Sequence, residues 1–220
     1  MLLPAILGKD LRSCLPIELP RLVLRLPTVN DTPAMLFAIE ESRLELDRWM
    51  PWAPATRDVG TLKRYARRLP SALRGGKNFD FGVFERSSGA YLGGMGFAKI
   101  DPDTGVGEIG YWIRRAARRH GVVTRVVIAL CTFGFDRLCL GRVEIRCDER
   151  NLDSARIPEK LGFTLDGTLR GGLPDHNDFT RRRNVRVYGL LANEWDTLAA
   201  GWQTTHADPF DQSTTPVIRP

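Results

Sequence analysis

Between Glu108 and Leu138 the chain runs from a strand-like stretch, Glu108-Ile-Gly-Tyr-Trp-Ile113, through the basic stretch Arg114-Arg-Ala-Ala-Arg-Arg-His-Gly121. It then enters a segment from Thr124 to about Leu138 that is apolar at helical spacing. A strand feeding an apolar helix through so short a loop buries both only in a sheet with helices laid upon it. The same arrangement puts backbone N–H groups and the positive end of a helix at the loop, which is the chemistry of an anion site. Arg118, Arg119 and His120 add positive potential there, and the Thr124 hydroxyl can donate to a phosphate oxygen. No G-K-[ST] follows, which excludes a Walker loop. The plain alternative is a solvated charge run with no ligand; the position between strand and helix leaves the two readings evenly matched.

The flanking sequence fits a mixed sheet. Arg21-Leu-Val-Leu-Arg25 alternates as a strand, Thr28-Val-Asn-Asp31 offers helix-capping side chains, Pro33 suits a first turn, and Ala34 to Ile39 reads as helix. Trp49 to Pro54 reads as a loop, and Thr56 as the cap of a helix running through Leu69. Phe79–Phe84 and Tyr91–Phe97 form a hairpin around a Ser-Ser-Gly turn. Arg142–Cys147 reads as a strand and Asn151–Leu161 as a short helix stopped by Gly162. Phe163–Leu169 and Val185–Leu191 close the series as strands. Residues 1–19 read as an arm, 20–198 as one domain and 199–220 as a loose tail.

Composition narrows the classes. With 220 residues, 43% apolar and 26% charged, the chain is long enough to bury a core without staples. No run approaches a membrane span, and the start Met1–Gly8 makes a poor signal peptide, so a soluble cytoplasmic protein is expected. Cys14, Cys131, Cys139 and Cys147 have neither CxxC nor His at metal spacing; reduced, buried thiols and no metal are expected. The net charge of +6 rests on 27 Arg and 5 Lys. Aromatics are not interleaved with the arginines, so no nucleic-acid partner is expected. A literal G-x-G-x-x-G at Gly105, Gly107 and Gly110 has a turn before it and a strand after it, the wrong context for a dinucleotide fold.

The stretch Arg118-x-x-Gly121-x-Val123, followed by Thr124, resembles the acyl-CoA pyrophosphate loop of GNAT-superfamily N-acetyltransferases. Arg21–Arg25, Glu108–Ile113 and Asn151-Leu-Asp-Ser-Ala-Arg-Ile-Pro-Glu-Lys-Leu-Gly-Phe163 are similar, in order, to the Rim-type branch that acetylates ribosomal proteins. The resemblance covers roughly residues 20 to 198. It implies a mixed, mostly antiparallel sheet of about seven strands with helices on both faces, and acetyl-CoA as acyl donor. It further implies that the backbone of Tyr111, Trp112 and Ile113 pairs with pantetheine. In the same way the amides of Arg119, His120, Gly121, Val122, Val123 and Thr124 hold pyrophosphate beside Arg118, and Asn151 and Ser154 face the thioester end. Two residues depart from the family pattern. Val123 stands where Gly or Ala is usual and would crowd the pyrophosphate, and Pro158 removes one N–H from the short helix.

Glu108 is the candidate general base through water, against a structural carboxylate. Ser154 is the candidate donor of a proton to the leaving thiolate, against a helix-capping role; Tyr188 is the alternative donor. Trp49 and Trp52 lie on a loop where the family shapes its acceptor site, against simple packing. His120 reads as an exposed loop residue, and Arg181–Arg183 as a solvated loop, against a docking patch for an acidic partner. The expected reaction is acetyl transfer to a primary amine, foremost a protein or peptide N-terminus, by direct attack in a ternary complex. A small-molecule amine such as an aminoglycoside, and an acyl-CoA-binding module without transfer, are the alternatives. A homodimer is left open, and no membrane partner is expected.

Overall fold

A computed structural model describes residues 15–76 and 78–205; Cys14, the segment before it and residues 206–220 lie outside. An eight-stranded sheet runs in the order β1-β2-β3-β4-β5-β6-β8-β7. Its strands are β1 Ile17–Glu18, β2 Leu22–Arg25, β3 Phe79–Glu85, β4 Tyr91–Asp101, β5 Val106–Ile113, β6 Arg142–Asp148, β7 Thr164–Pro174 and β8 Arg182–Leu191. Every neighbouring pair is antiparallel except β5 and β6. The eighth strand is β1, a two-residue piece within the segment read as an arm.

The helices are α1 Thr32–Glu41, α2 Arg43–Trp49, α3 Val59–Gly75, α4 Val122–Thr132, α5 Leu152–Lys160 and α6 Ala192–Thr205. Asp58, not Thr56, caps α3, its Oδ1 accepting from the Thr61 N–H at 2.8 Å. Helix α6 falls where no helix is read from the sequence. Gly162 has φ 78° just beyond α5, a left-handed stop that favours glycine. Among the described residues no helix is long and apolar enough to cross a membrane.

Alternation along the strands splits the core in two. One face carries Phe79, Phe81, Phe97, Ile109, Val143 and Ile145 against Val126, Leu130 and Phe133 of α4 and the turn after it. Phe133 stands edge-on to Phe79 and Phe81, with centroids 6.2 and 6.3 Å apart. Each such side chain contributes about 1.5–3 kcal/mol by leaving water. This burial makes α4 helical although its valines disfavour helix. The other face carries Phe84 and Tyr91 against Met35, Ile39, Leu46 and Leu62 of α1–α3.

Candidate active site

The crossover through α4 makes β5 and β6 parallel, and their pairing stops at Ile109↔Ile145. Beyond it β5 stays paired to β4 as far as Ile113↔Gly93, and β6 to β8 as far as Asp148↔Val185. The two strands therefore part like a V, and those backbone N–H and C=O groups of Gly110–Ile113 that alternate away from β4 face the gap. Tyr111, Trp112 and Ile113, singled out from the sequence, line that edge.

The basic loop closes one end of the gap. Gly121 is the N-cap of α4 with φ 70°, and no side chain caps the helix. The helix thus opens at Val122, two residues before the expected start. Arg119 is also left-handed at φ 64°, and such alternation of hand makes anion-holding concavities of backbone N–H groups. A Cβ placed at Gly121 would meet nothing within 4 Å, so the loop's mouth is open. His120 is exposed, as expected. Val122 and Thr124 turn inward, Thr124 being only 6% exposed. The Thr124 hydroxyl is thus inside the fold, because position 124 shares the core-facing stripe of α4 with Val127. Val123 packs partly against the same core.

Ion pairs tie the loop to α1 and α2. Arg114 binds the Glu41 carboxylate through Nε at 2.8 Å and through Nη2, and Glu41 also accepts from the Ala116 N–H at 2.6 Å. Arg118 pairs with Glu45 at 3.1 Å, a partner the sequence does not show.

Helix α5 brings its first turn beneath the V. Asn151 is its N-cap, accepting from the Ser154 N–H at 3.2 Å. The Ser154 hydroxyl donates to the Tyr111 hydroxyl at 3.1 Å, and Tyr111 donates to the Ser154 carbonyl at 3.0 Å. Burial raises the Tyr111 phenol well above its ordinary range, and raises the nearby Cys147 thiol to about 11. Tyr188 is buried and gives its hydroxyl to Glu159 at 2.7 Å.

The opposite face of β5 carries Glu108, Gly110 and Trp112. Glu108 sits in a polar row: Lys99 and Glu144 are its register partners, and Arg146 lies 3.7 Å away. Burial raises its carboxyl, Arg146 lowers it and Glu144 raises it again. Trp112 stacks between Trp52 and Tyr91, with centroids 5.7 and 5.9 Å apart. Trp49 ends α2 beneath the Arg48 guanidinium, so the structure brings Trp52 to β5 without Trp49. Beside Trp112 lies a cavity of about 90 Å³ lined by Met50, Tyr65, Asp80, Gly94 and Gly110. Tyr65 and Asp80 escape the sequence reading, since neither sits in a motif.

Two further expectations change. Cys139 is exposed, while Cys131 and Cys147 are buried free thiols. Arg183 is not solvated: it is 7% exposed and holds Asp175 at 2.9 Å and Asp148 at 3.6 Å. Among the described residues no cluster could hold a metal.

An open parallel pair, a helix start with spare amides and a sheet with helices on both faces define the class of an acyl-CoA N-acyltransferase. The acetyltransferase (GNAT) domain model matches residues 21–164, and the chain belongs to that family. It is 27% identical to YdaF of Bacillus subtilis (strain 168) over 179 residues, 80% of this chain and 93% of that one. Its fold matches RimL, a ribosomal L7/L12 alpha-N-protein acetyltransferase solved with coenzyme A, at TM-score 0.72 and 20% identity over 80% of this chain and 96% of that one. It also matches the microcin C7 self-immunity acetyltransferase MccE, solved with acetyl-CoA and AMP, at TM-score 0.72 and 17% identity over 79% and 93%. The chain is an N-acetyltransferase.

Proposed function

We propose that the chain moves the acetyl group of acetyl-CoA to the N-terminal α-amine of a protein or peptide, by direct attack within a ternary complex. The observation that carries this is the V between β5 and β6. The alternate amides of Gly110–Ile113 that β4 leaves free suit an extended pantetheine arm. The spare N–H groups of Val122–Thr124 and the left-handed Arg119 and Gly121 suit the pyrophosphate at its end. Bound acetyl-CoA supplies an activated thioester carbonyl. Backbone N–H groups at the V polarise that carbonyl, and the linked Ser154 and Tyr111 hydroxyls are suited to give the leaving thiolate its proton.

The acceptor follows from proton energetics. At pH 7 an α-amine of pKa about 7.7–8.0 costs about 1 kcal/mol to deprotonate, a lysine of about 10.4 nearer 4.6. Among the described residues the histidines are His120 and His176, neither on β5, so the site offers carboxylates as bases and favours the easier amine. The test is free-CoA release across a panel of unblocked peptides, blocked lysine peptides and an aminoglycoside. Release only with unblocked peptides is expected; release only with the small amine overturns the reading.

A further inference from the structure

On the face covered by α1–α3, Asp80, Gly96 and Gly110 stand opposite one another across β3, β4 and β5. The two glycines put no side chain between the Asp80 carboxylate and the cofactor strand. A Cβ at Gly110 would find only the Ala98 Cβ, at 3.4 Å. Met50, Tyr65 and Trp112 wall the resulting cleft. Two strand spacings, about 10 Å, separate the Asp80 and Gly110 backbones, a span that takes one amine between carboxylate and thioester. The Tyr65 ring is 37% exposed and lines the same cleft as Asp80. Among the described residues no arginine or lysine pairs with this carboxylate, although the chain carries 32 such cations.

We propose that this cleft receives the protonated amine of the acceptor, with Asp80 as its counter-charge and proton acceptor and Tyr65 holding that carboxylate in place. The assignment rests on the acetyl-transfer reading above and adds to it the acceptor site and its base. A carboxylate left without a cation at the end of a side-chain-free floor is suited to a ligand that brings the cation. Burial holds the Asp80 carboxyl above its ordinary range while the Tyr65 hydroxyl opposes it, so Asp80 is a stronger base than a free carboxylate. That narrows the gap of about 4 pH units between a free Asp and an α-amine. The titratable groups facing Asp80 are Tyr65 of α3 and Tyr91 of β4. Glu108 shares the face but is engaged with Arg146 in the row where β5 and β6 are still paired.

The step balances. One ammonium proton passes to an Asp80 oxygen, and the nitrogen lone pair then forms the C–N bond to the acetyl carbonyl carbon. The C–S bond breaks, and sulfur leaves with its electron pair. The second proton lost from nitrogen equals the one that sulfur gains, and Asp80 returns its proton to water.

The experiment uses the full chain, acetyl-CoA and two probes: unblocked Ala-Ala-Ala amide and its N-acetylated copy. Asp80→Asn is expected to lower turnover on the unblocked peptide by about 10²–10⁴-fold, with calorimetric acetyl-CoA affinity within twofold. The same variant is expected to weaken calorimetric binding of the unblocked peptide to the CoA-loaded protein at pH 6 at least about tenfold. Binding of the blocked copy should not change. Asp80→Glu should recover part of the turnover. Tyr65→Phe removes the hydroxyl that acts to lower the Asp80 pKa, so the acid limb of the turnover profile should move to higher pH. Asp80→Asn with turnover within threefold, unchanged peptide binding and the wild-type pH profile overturns the assignment while leaving acetyl transfer intact. Loss of turnover in Glu108→Gln alone does the same. A wild-type protein that binds acetyl-CoA but neither binds nor acetylates the peptide overturns the peptide-acceptor reading itself, a result seen without any variant.

Discussion

Tyr111 donates its hydroxyl, at 3.0 Å, to the Ser154 carbonyl, the oxygen that Pro158 leaves without a helical N–H. In an α-helix the N–H of residue 158 would bond the carbonyl of 154, and proline has none to give. The proline inside α5 thereby frees an acceptor that fixes a tyrosine on β5, at the mouth of the V. Pro158→Ala should restore the helical bond and set it in competition with Tyr111. The expected outcome is an unchanged or higher melting temperature with a several-fold lower turnover number. Tyr111→Phe should lower turnover similarly without touching the helix. A Pro158→Ala protein with wild-type turnover at saturating substrates would show that the freed carbonyl has no catalytic consequence.

Gly121→Val is expected to weaken acetyl-CoA binding by about tenfold or more. At φ 70° a residue with a Cβ is strained by roughly 1–2 kcal/mol, a strain relieved by rotating the loop N–H groups out of the left-handed geometry that aims them at an anion. The branched side chain would also fill the open mouth of the loop. Val123→Ala is the converse, with affinity equal or higher. Calorimetry on both variants decides, and an unaltered dissociation constant for Gly121→Val would falsify the assignment of this loop.

Acid stability should depend on Asp31. Its carboxylate accepts Arg25 through both Nη atoms, at 2.7 and 2.8 Å, and the Thr28 N–H at 2.7 Å. The Arg25 bond lowers its pKa to about 2 from an unfolded value of 3.8. A depressed folded pKa means the stabilisation is complete above the unfolded value and is lost as pH falls from about 4 to 2. Asp31→Asn should cost about 1–2 kcal/mol at pH 7, discounted for the partial exposure of the pair. It should also flatten the pH dependence in that window. Thermal unfolding of both proteins at pH 2, 3, 4 and 7 measures it. Parallel curves would assign the acid limb to other carboxylates.

Elements with a local signature were legible in the sequence. Alternation marked β2 and β6, turns bounded the strand-like runs of β3 to β5, and the basic loop up to Gly121 and the Asn151–Gly162 helix were placed by their residue pattern, because caps and glycine stops act within a few residues. What escaped depends on pairing across the chain. The two residues of β1 are a strand only because Leu24 and Val23 lie beside them. Asp80 looks like any polar position of an alternating strand until Tyr65, on a helix beginning before it, closes upon it. Arg183 reads as one more surface cation in an arginine-rich loop. Only the fold supplies Asp148 and Asp175 to bury it.

A peptidyl α-amine is expected to be acetylated faster than a lysine side chain. From reference pKa values the deprotonation costs differ by about 3.5 kcal/mol at neutral pH, between two and three powers of ten in the reactive fraction. The one opposing influence is desolvation, which lowers an amine's pKa, and the Trp52–Trp112 stack at the cleft is apolar enough to exert it. Asp80 works the other way, since a carboxylate favours the charged amine until the proton moves. The preference should therefore survive but shrink below the solution value as pH rises toward 9, where the lysine's neutral fraction grows fastest. Two peptides of one sequence measure it, one N-terminally blocked with a free lysine, the other unblocked with lysine replaced, at pH 7, 8 and 9. Faster transfer to the blocked peptide at pH 7 would reverse the assignment and make a desolvated lysine the acceptor.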